Sequence, residues 1–239
     1  MAAQISVQDK TRDDYLHLDL APSYGTLNSE AMKKMDDELK IMIAGTMKDL
    51  GRVPPNQRSW DKVISIFMQN PLLEPHSDPE LVRADKFIKN SSGDFKFDGS
   101  PNAAIVQEVK TWFTKLIADD DVIKSTKIDV EVLAKIVAQT GATVDSFETF
   151  FAKHEYHEKT LVDIGVLRFP DAFNPYFKVY RIQLVAWSDS SRILFHQEDK
   201  NGITGEYHCR KFKPRDAVIS ELKEQTKKLA IKQAEDLFA

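Results

Sequence analysis

"YFKVYRIQLVAWSDSSRILFHQEDKNGITGEYHCRKFKP", residues 176–214, decides the fold of this chain. β-branched and aromatic side chains dominate it. Its first third alternates apolar with polar residues, the period of a strand with one oily and one wet face. "SDSS" (188–191) and "DKNG" (199–202) read as turns, and Asn201-Gly202 is the dipeptide best suited to a two-residue hairpin because both residues tolerate positive φ. With "TLVDIGVLRF" (160–169) before it and "PDAFNP" (170–175) between, the stretch predicts an antiparallel meander of three to four strands over about 160–213.

Cross-strand partners follow from those turns. Centring one turn on Asp189 and Ser190 and the next on Asn201-Gly202 sets Trp187 opposite Arg192, Gln183 opposite His196 and Arg181 opposite Glu198, and brings His196 near Tyr207. One face then collects Arg181, Gln183, Trp187, His196, Glu198 and Tyr207, while Tyr180, Ile182, Leu184 and Ala186 face helices. Arginine, histidine and tyrosine anchor polar contacts and Trp187 adds an aromatic platform, so this row is the candidate ligand or partner surface. An ordinary solvated sheet face is the plainer alternative.

Upstream, the apolar spacing is helical. A stripe from Met32 through Leu39, Met42 and Met47 to Leu50 follows a cap at Asn28 or Ser29 and stops at Gly51. A second helix carries Trp60, Val63, Ile64 and Phe67. Asp78-Pro79 opens a third through Leu81, Val82, Phe87 and Ile88, and two more follow with Trp112 to Ile117 and with Leu133 to Val137. Phe147, Phe150 and Phe151 extend the helical spacing into "AKHEYHEK" (152–159). Residues 1–14 read as a mobile segment, "YLHLDL" (15–20) as a short strand, and 215–238 as a terminal helix.

The expected fold class is therefore α+β, with a helical N-terminal two-thirds (about 28–158), the meander, and a C-terminal helix, all in one domain over 15–239. As an order of elements only, this resembles the single-domain pore-forming cytolysins. No motif accompanies the likeness, and element order alone does not transmit function.

Composition narrows the chemistry. The 239 residues, 42% hydrophobic and 29% charged, suffice for one large core. The single cysteine, Cys209, excludes an internal disulfide and a cysteine zinc cage and agrees with a reducing compartment. No apolar run approaches the roughly 20 residues of a spanning helix. Residues 1–14 lack an apolar leader, so a cytoplasmic location is expected. A net charge of −4 gives no global attraction to nucleic acid.

Several catalytic and ligand classes lose their support at the motif level. His154 and His157 stand three apart rather than in H-E-x-x-H, which disfavours a zinc site. "DFKFDGSPN" (94–102) places Lys96 and Ile105 where calcium ligands belong. No phosphate-binding or nucleophile-elbow motif is present, and neither metal nor cofactor is expected. From Tyr207 to Lys232 an excess of five positive charges, including Lys211, Lys213, Arg215, Lys223 and Lys227, is a candidate anion-binding surface.

Three functions fit. The first is a non-catalytic binding or assembly protein that uses the polar sheet face, self-associating or acting at a membrane surface. Its partner is a protein or a second copy, with a small ligand as the lesser option. The second is a hydrolase or transferase using His196 or His208 as base. The third is binding of anionic lipid or nucleic acid through the basic C-terminal segment.

Overall fold

The computed structural model describes residues 8–20, 30–54, 57, 59–94, 101–139, 152–169, 174–193 and 196–238. Along the chain come β1 (Gln8–Leu20), α1 (Glu30–Gly51), α2 (Trp60–Gln69), β2 (Leu73–Pro75), β3 (Leu81–Asp94), α3 (Ala103–Ile117), α4 (Asp120–Ser125) and α5 (Val130–Val137). The meander β4 (Ala152–Phe169), β5 (Tyr176–Ile193) and β6 (His196–Pro214) follows, then α6 (Asp216–Ser220) and α7 (Glu224–Phe238). One six-stranded sheet runs β1-β4-β5-β6-β2, with β3 also on β6. β2 and β3 are successive pieces of a single edge, pairing with the end and the start of β6 respectively. β1 pairs in parallel with β4, and every other ladder is antiparallel.

Alternation gives the sheet two different faces. Tyr180, Ile182, Leu184, Ala186, Ile203 and Tyr207 are buried beneath Val109, Trp112, Leu116, Leu133 and Val137, so α3, α4 and α5 coat what is here called the α3 face. Gly205 lies under this coat, where a Cβ would run into Leu116 and Trp112; its bare backbone lets α3 settle onto β6. Val162, Ile164, Val166, Phe177, Val179 and Phe212 point the other way into a second core with Leu39, Met42, Trp60 and Phe67, which defines the α1 face. Side-chain caps fix where the coating helices start: Ser59 accepts from Lys62 N, Asn102 from Ala104 N, Asp119 from Val122 N and Asp129 from Glu131 N.

A mixed α+β fold and an antiparallel meander are present, but the helical N-terminal block is not. Strands β1, β2 and β3 interrupt the helices, and the stretch read as a third helix is the edge strand β3. Edge strands break up their apolar pattern with charges, here Arg83, Asp85, Lys86 and Lys89, so neither period shows clearly and the Asp78-Pro79 cap signal misled. β4 starts at Ala152, so "AKHEYHEK" is strand rather than helix; Phe147, Phe150 and Phe151 lie outside the described residues. β1 begins at Gln8, inside the segment expected to be mobile, and the terminal helix is broken between α6 and α7.

Both expected turns within 188–202 are strand interior. The β5–β6 reversal falls between Ile193 and His196, which pair. Asn201 is buried and donates to the carbonyls of Val137 and Gln139 at 3.0 and 2.7 Å, closing the C-terminal end of α5. Gly202 lies under the Trp187 ring, which a Cβ would strike. Both residues of the hairpin signal thus serve tertiary contacts.

Candidate functional site: the open half of the α1 face

The two helical coats do not match in extent. Cross-strand registers order the α1 face of β5 and β6 as successive rungs: Phe177–Phe212, Val179–Arg210, Arg181–His208, Gln183–Glu206, Val185–Thr204 and Trp187–Gly202. The core under α1 and α2 takes in the Phe177, Val179 and Phe212 end. Further along, no described helix packs on this face. Edge strand β3 continues these rungs with Val82, Ala84, Lys86 and Ile88, and β4 contributes Thr160, Glu158, Tyr156 and His154 on the other side.

The border between covered and open halves is polar. Trp60 Nε1 donates to Glu80 Oε1 at 2.8 Å, and the His208 ring stands 5.5 Å from the Trp60 ring with Nδ1 3.4 Å from the same carboxylate oxygen. Next comes the Arg181–Glu206 ion pair at 3.3 Å. Beyond it a cavity of about 540 Å³ lies over Gln183, Val185, Thr204, Glu206, Ala84 and Lys86, within the size range of small-ligand sites. Towards the tip, His154 Nε2 meets Asp189 Oδ1 at 2.6 Å, and Tyr156 donates its hydroxyl to Glu158 at 2.6 Å. Burial, then that hydrogen bond to an anion, push the Tyr156 phenol up to about 12.

Of the residues assigned to the polar row, Arg181, Gln183, Trp187, His196 and Glu198 share the α1 face of their strands, but they do not form one cluster. His196 pairs with Ile193, twelve positions along β6 from His208 beside Arg181. At about 3.3 Å per residue that is on the order of 40 Å. His196 and Glu198 are exposed near the hairpin tip, 3.8 Å apart. Tyr207 is on the opposite face, fully buried with the Arg83 guanidinium over its ring, and burial raises its phenol. Lys86, Thr204, Glu206 and Gly202 were missed. The alternation of Thr204, Glu206 and His208 signalled the β6 part once Asn201-Gly202 was not read as a turn; the β3 part carried no signal.

The strand period separates the side chains of two pairs considered for chemistry. Cys209 is buried on the face opposite His208, and burial pushes its thiol up, away from the thiolate a nucleophile needs. In a strand His154 and His157 point to opposite faces. Accordingly His154 pairs with Asp189, and His157 lies 4.0 Å from Glu155. Among the described residues no three histidine, cysteine or carboxylate groups gather as a metal site.

The basic segment is largely neutralised by a part of the chain far away in sequence. Lys211 meets Asp78 at 2.6 Å, Lys213 and Arg215 share Glu74 at 3.0 and 3.7 Å, and Arg210 lies 3.8 Å from Glu80. The hydrogen bonds and charge of Lys213 and Lys211 hold the Glu74 and Asp78 carboxyls below their ordinary values. Lys227 pairs with Glu224 within α7 at 2.9 Å. Lys223 is exposed just before α7.

No protein-family model and no curated protein matches the chain. Among the described residues no helix is long and apolar enough to cross a membrane.

Proposed function

We propose that this chain is a non-catalytic binding and assembly protein that acts at a membrane surface through its long meander, keeping the open, polar half of the α1 face towards water. One observation carries the reading: three consecutive antiparallel strands of 18, 18 and 19 residues, which run well past the coat that α1 and α2 supply. A strand crossing a bilayer takes about 9–11 residues, alternating lipid-facing apolar with water-facing polar side chains. The middle of the β5–β6 hairpin has that pattern, with Tyr180, Ile182, Leu184, Ala186, Ile203, Tyr207 and Cys209 on the α3 face against Arg181, Gln183, Thr204, Glu206 and His208, with Val185 among them, on the other. In water α3, α4 and α5 cover the apolar side. Releasing them exposes it, and because three strands leave open edges that lipid does not tolerate, copies must associate. Cytoplasmic residence before that encounter, supported by one buried, unpaired cysteine, belongs to the same reading.

The test is dye release from phosphatidylcholine vesicles with and without phosphatidylserine, followed by sizing of the membrane fraction. Release with oligomers is expected, and a disulfide engineered between α5 and β6 suppresses it until reduced. A chain that stays monomeric and leaves both vesicle types intact would remove the proposal.

A further inference from the structure

The open half of the α1 face pairs a half-buried aromatic ring with uncharged hydrogen-bonding groups, and the two are adjacent. Trp187 is half-buried. Its ring lies across Gly202, where any side chain would collide with it, so one aromatic side is against the sheet. The neighbouring rung is Val185–Thr204, about 7 Å along the strand, and this rung floors the cavity of about 540 Å³. The Gln183 amide and Thr204 hydroxyl point into that cavity with no partner among the described residues.

Charge selects the occupant. Glu206 and Arg181 at the far wall neutralise each other at 3.3 Å, which leaves Lys86 on the exposed edge strand as the one cation without a partner at the rim among the described residues. An anionic ligand gains only the exposed Lys86 ammonium and must approach the Glu206 carboxylate, and a cationic ligand meets Arg181 and Lys86. A neutral polyhydroxylated ligand conflicts with neither and uses both, since its hydroxyls donate to Glu206 and Gln183 and accept from Gln183, Thr204 and Arg181. A pyranose ring also presents a flat C–H face that suits the slightly negative face of an indole.

We infer that the Trp187 platform and the cavity beside it form a binding site for a neutral saccharide, with Trp187 stacking on one pyranose ring and Gln183, Thr204 and the Arg181–Glu206 pair hydrogen-bonding its hydroxyls. The site rests on the proposed function only in using the same open face. A saccharide is a chemistry that a membrane displays as glycolipid headgroups and solution supplies as free oligosaccharide.

The experiment titrates the full-length protein with uncharged trisaccharides of different linkage and with inorganic phosphate, reading tryptophan fluorescence and isothermal heat. In parallel it measures sedimentation with vesicles that do or do not carry a neutral glycolipid. Saturable binding of at least one neutral sugar and none of phosphate is expected. Trp187→Ala should weaken it at least tenfold, Gln183→Ala severalfold, and Gly202→Ala, which lifts the ring from its seat, severalfold, with far-ultraviolet circular dichroism confirming each fold. Stronger sedimentation of glycolipid vesicles identifies the membrane source; binding of the free sugar alone identifies the soluble one. The inference is overturned if no neutral sugar binds at millimolar concentration, if phosphate binds equally, or if binding survives Trp187→Ala. Vesicle leakage that persists without sugar binding overturns this inference and leaves the proposed function standing; sugar binding without vesicle association does the reverse.

Discussion

The α3 face and the open half of the α1 face are made by the same strands, often by neighbouring residues, yet their energetics differ. Ile182 is fully buried under helices while Gln183, next in the chain, borders an open cavity. On the α3 face a buried polar group can fasten the coat. Asp163, fully buried there, accepts from the Thr126 hydroxyl at 2.5 Å and the Lys127 backbone at 3.1 Å, which fastens the α4–α5 connection to the sheet. On the open face the polar groups hold little together. Stability and the proposed recognition are thus separated by the two-residue period of the strand, and substitution can change one with small effect on the other.

The sharpest way to break that contrast is Asp163→Ala. It strands buried donors and leaves a gap, so a loss of about 3 kcal/mol is expected, or about 8 °C in Tm for a chain of this size. Denaturant titration measures it, and a loss below half that value would show that the α4–α5 connection is not fastened here. Gly205→Ala tests the helical coat, because its Cβ meets Leu116, Trp112 and Leu184; overpacking should cost about 2 kcal/mol. Asn201→Ala removes the donors to Val137 and Gln139 and should cost about 1 kcal/mol, with faster amide exchange at the end of α5.

Acid should loosen the α3 coat through Glu131, which joins α3 to α5. Hydrogen bonds from Lys110 and Lys135, then their charges, lower its carboxyl from 4.5 to about 2. A depressed carboxyl contributes stability above its unfolded value that is lost as pH falls, so the clasp is intact above 4.5 and fades towards 2. Denaturation midpoints across that window should fall less for Glu131→Gln than for the parent. The smallest effect belongs to the open half: Glu206→Ala, at an exposed ion pair, should change stability by no more than about 0.5 kcal/mol. A larger loss would mean that the open face also supports the fold.

How legible this was depended on where each residue's partner lay. β5 was readable because its alternation is set by burial on one face, and Gln183 and Ile182 occupy the surroundings that their period implies. Asn201-Gly202 was not, since a helix end and a tryptophan ring explain those residues better than a turn does, and neither is visible locally. That misreading moved the β5–β6 reversal and brought His196 falsely close to Gln183. β3 failed for the opposite reason: an edge strand has too little burial to impose a period. The basic segment looked available because Glu74, Asp78 and Glu80, which neutralise much of it, precede it by about 130 residues.

The parallel pairing of β1 with β4 sets a timetable for biogenesis. Gln8 finds its partner in Tyr156, so β1 waits for roughly 150 further residues to be made. At about 5–20 residues per second it spends roughly 7–30 s without its ladder, exposed to chaperones and to the matching segments of sibling chains on the same message.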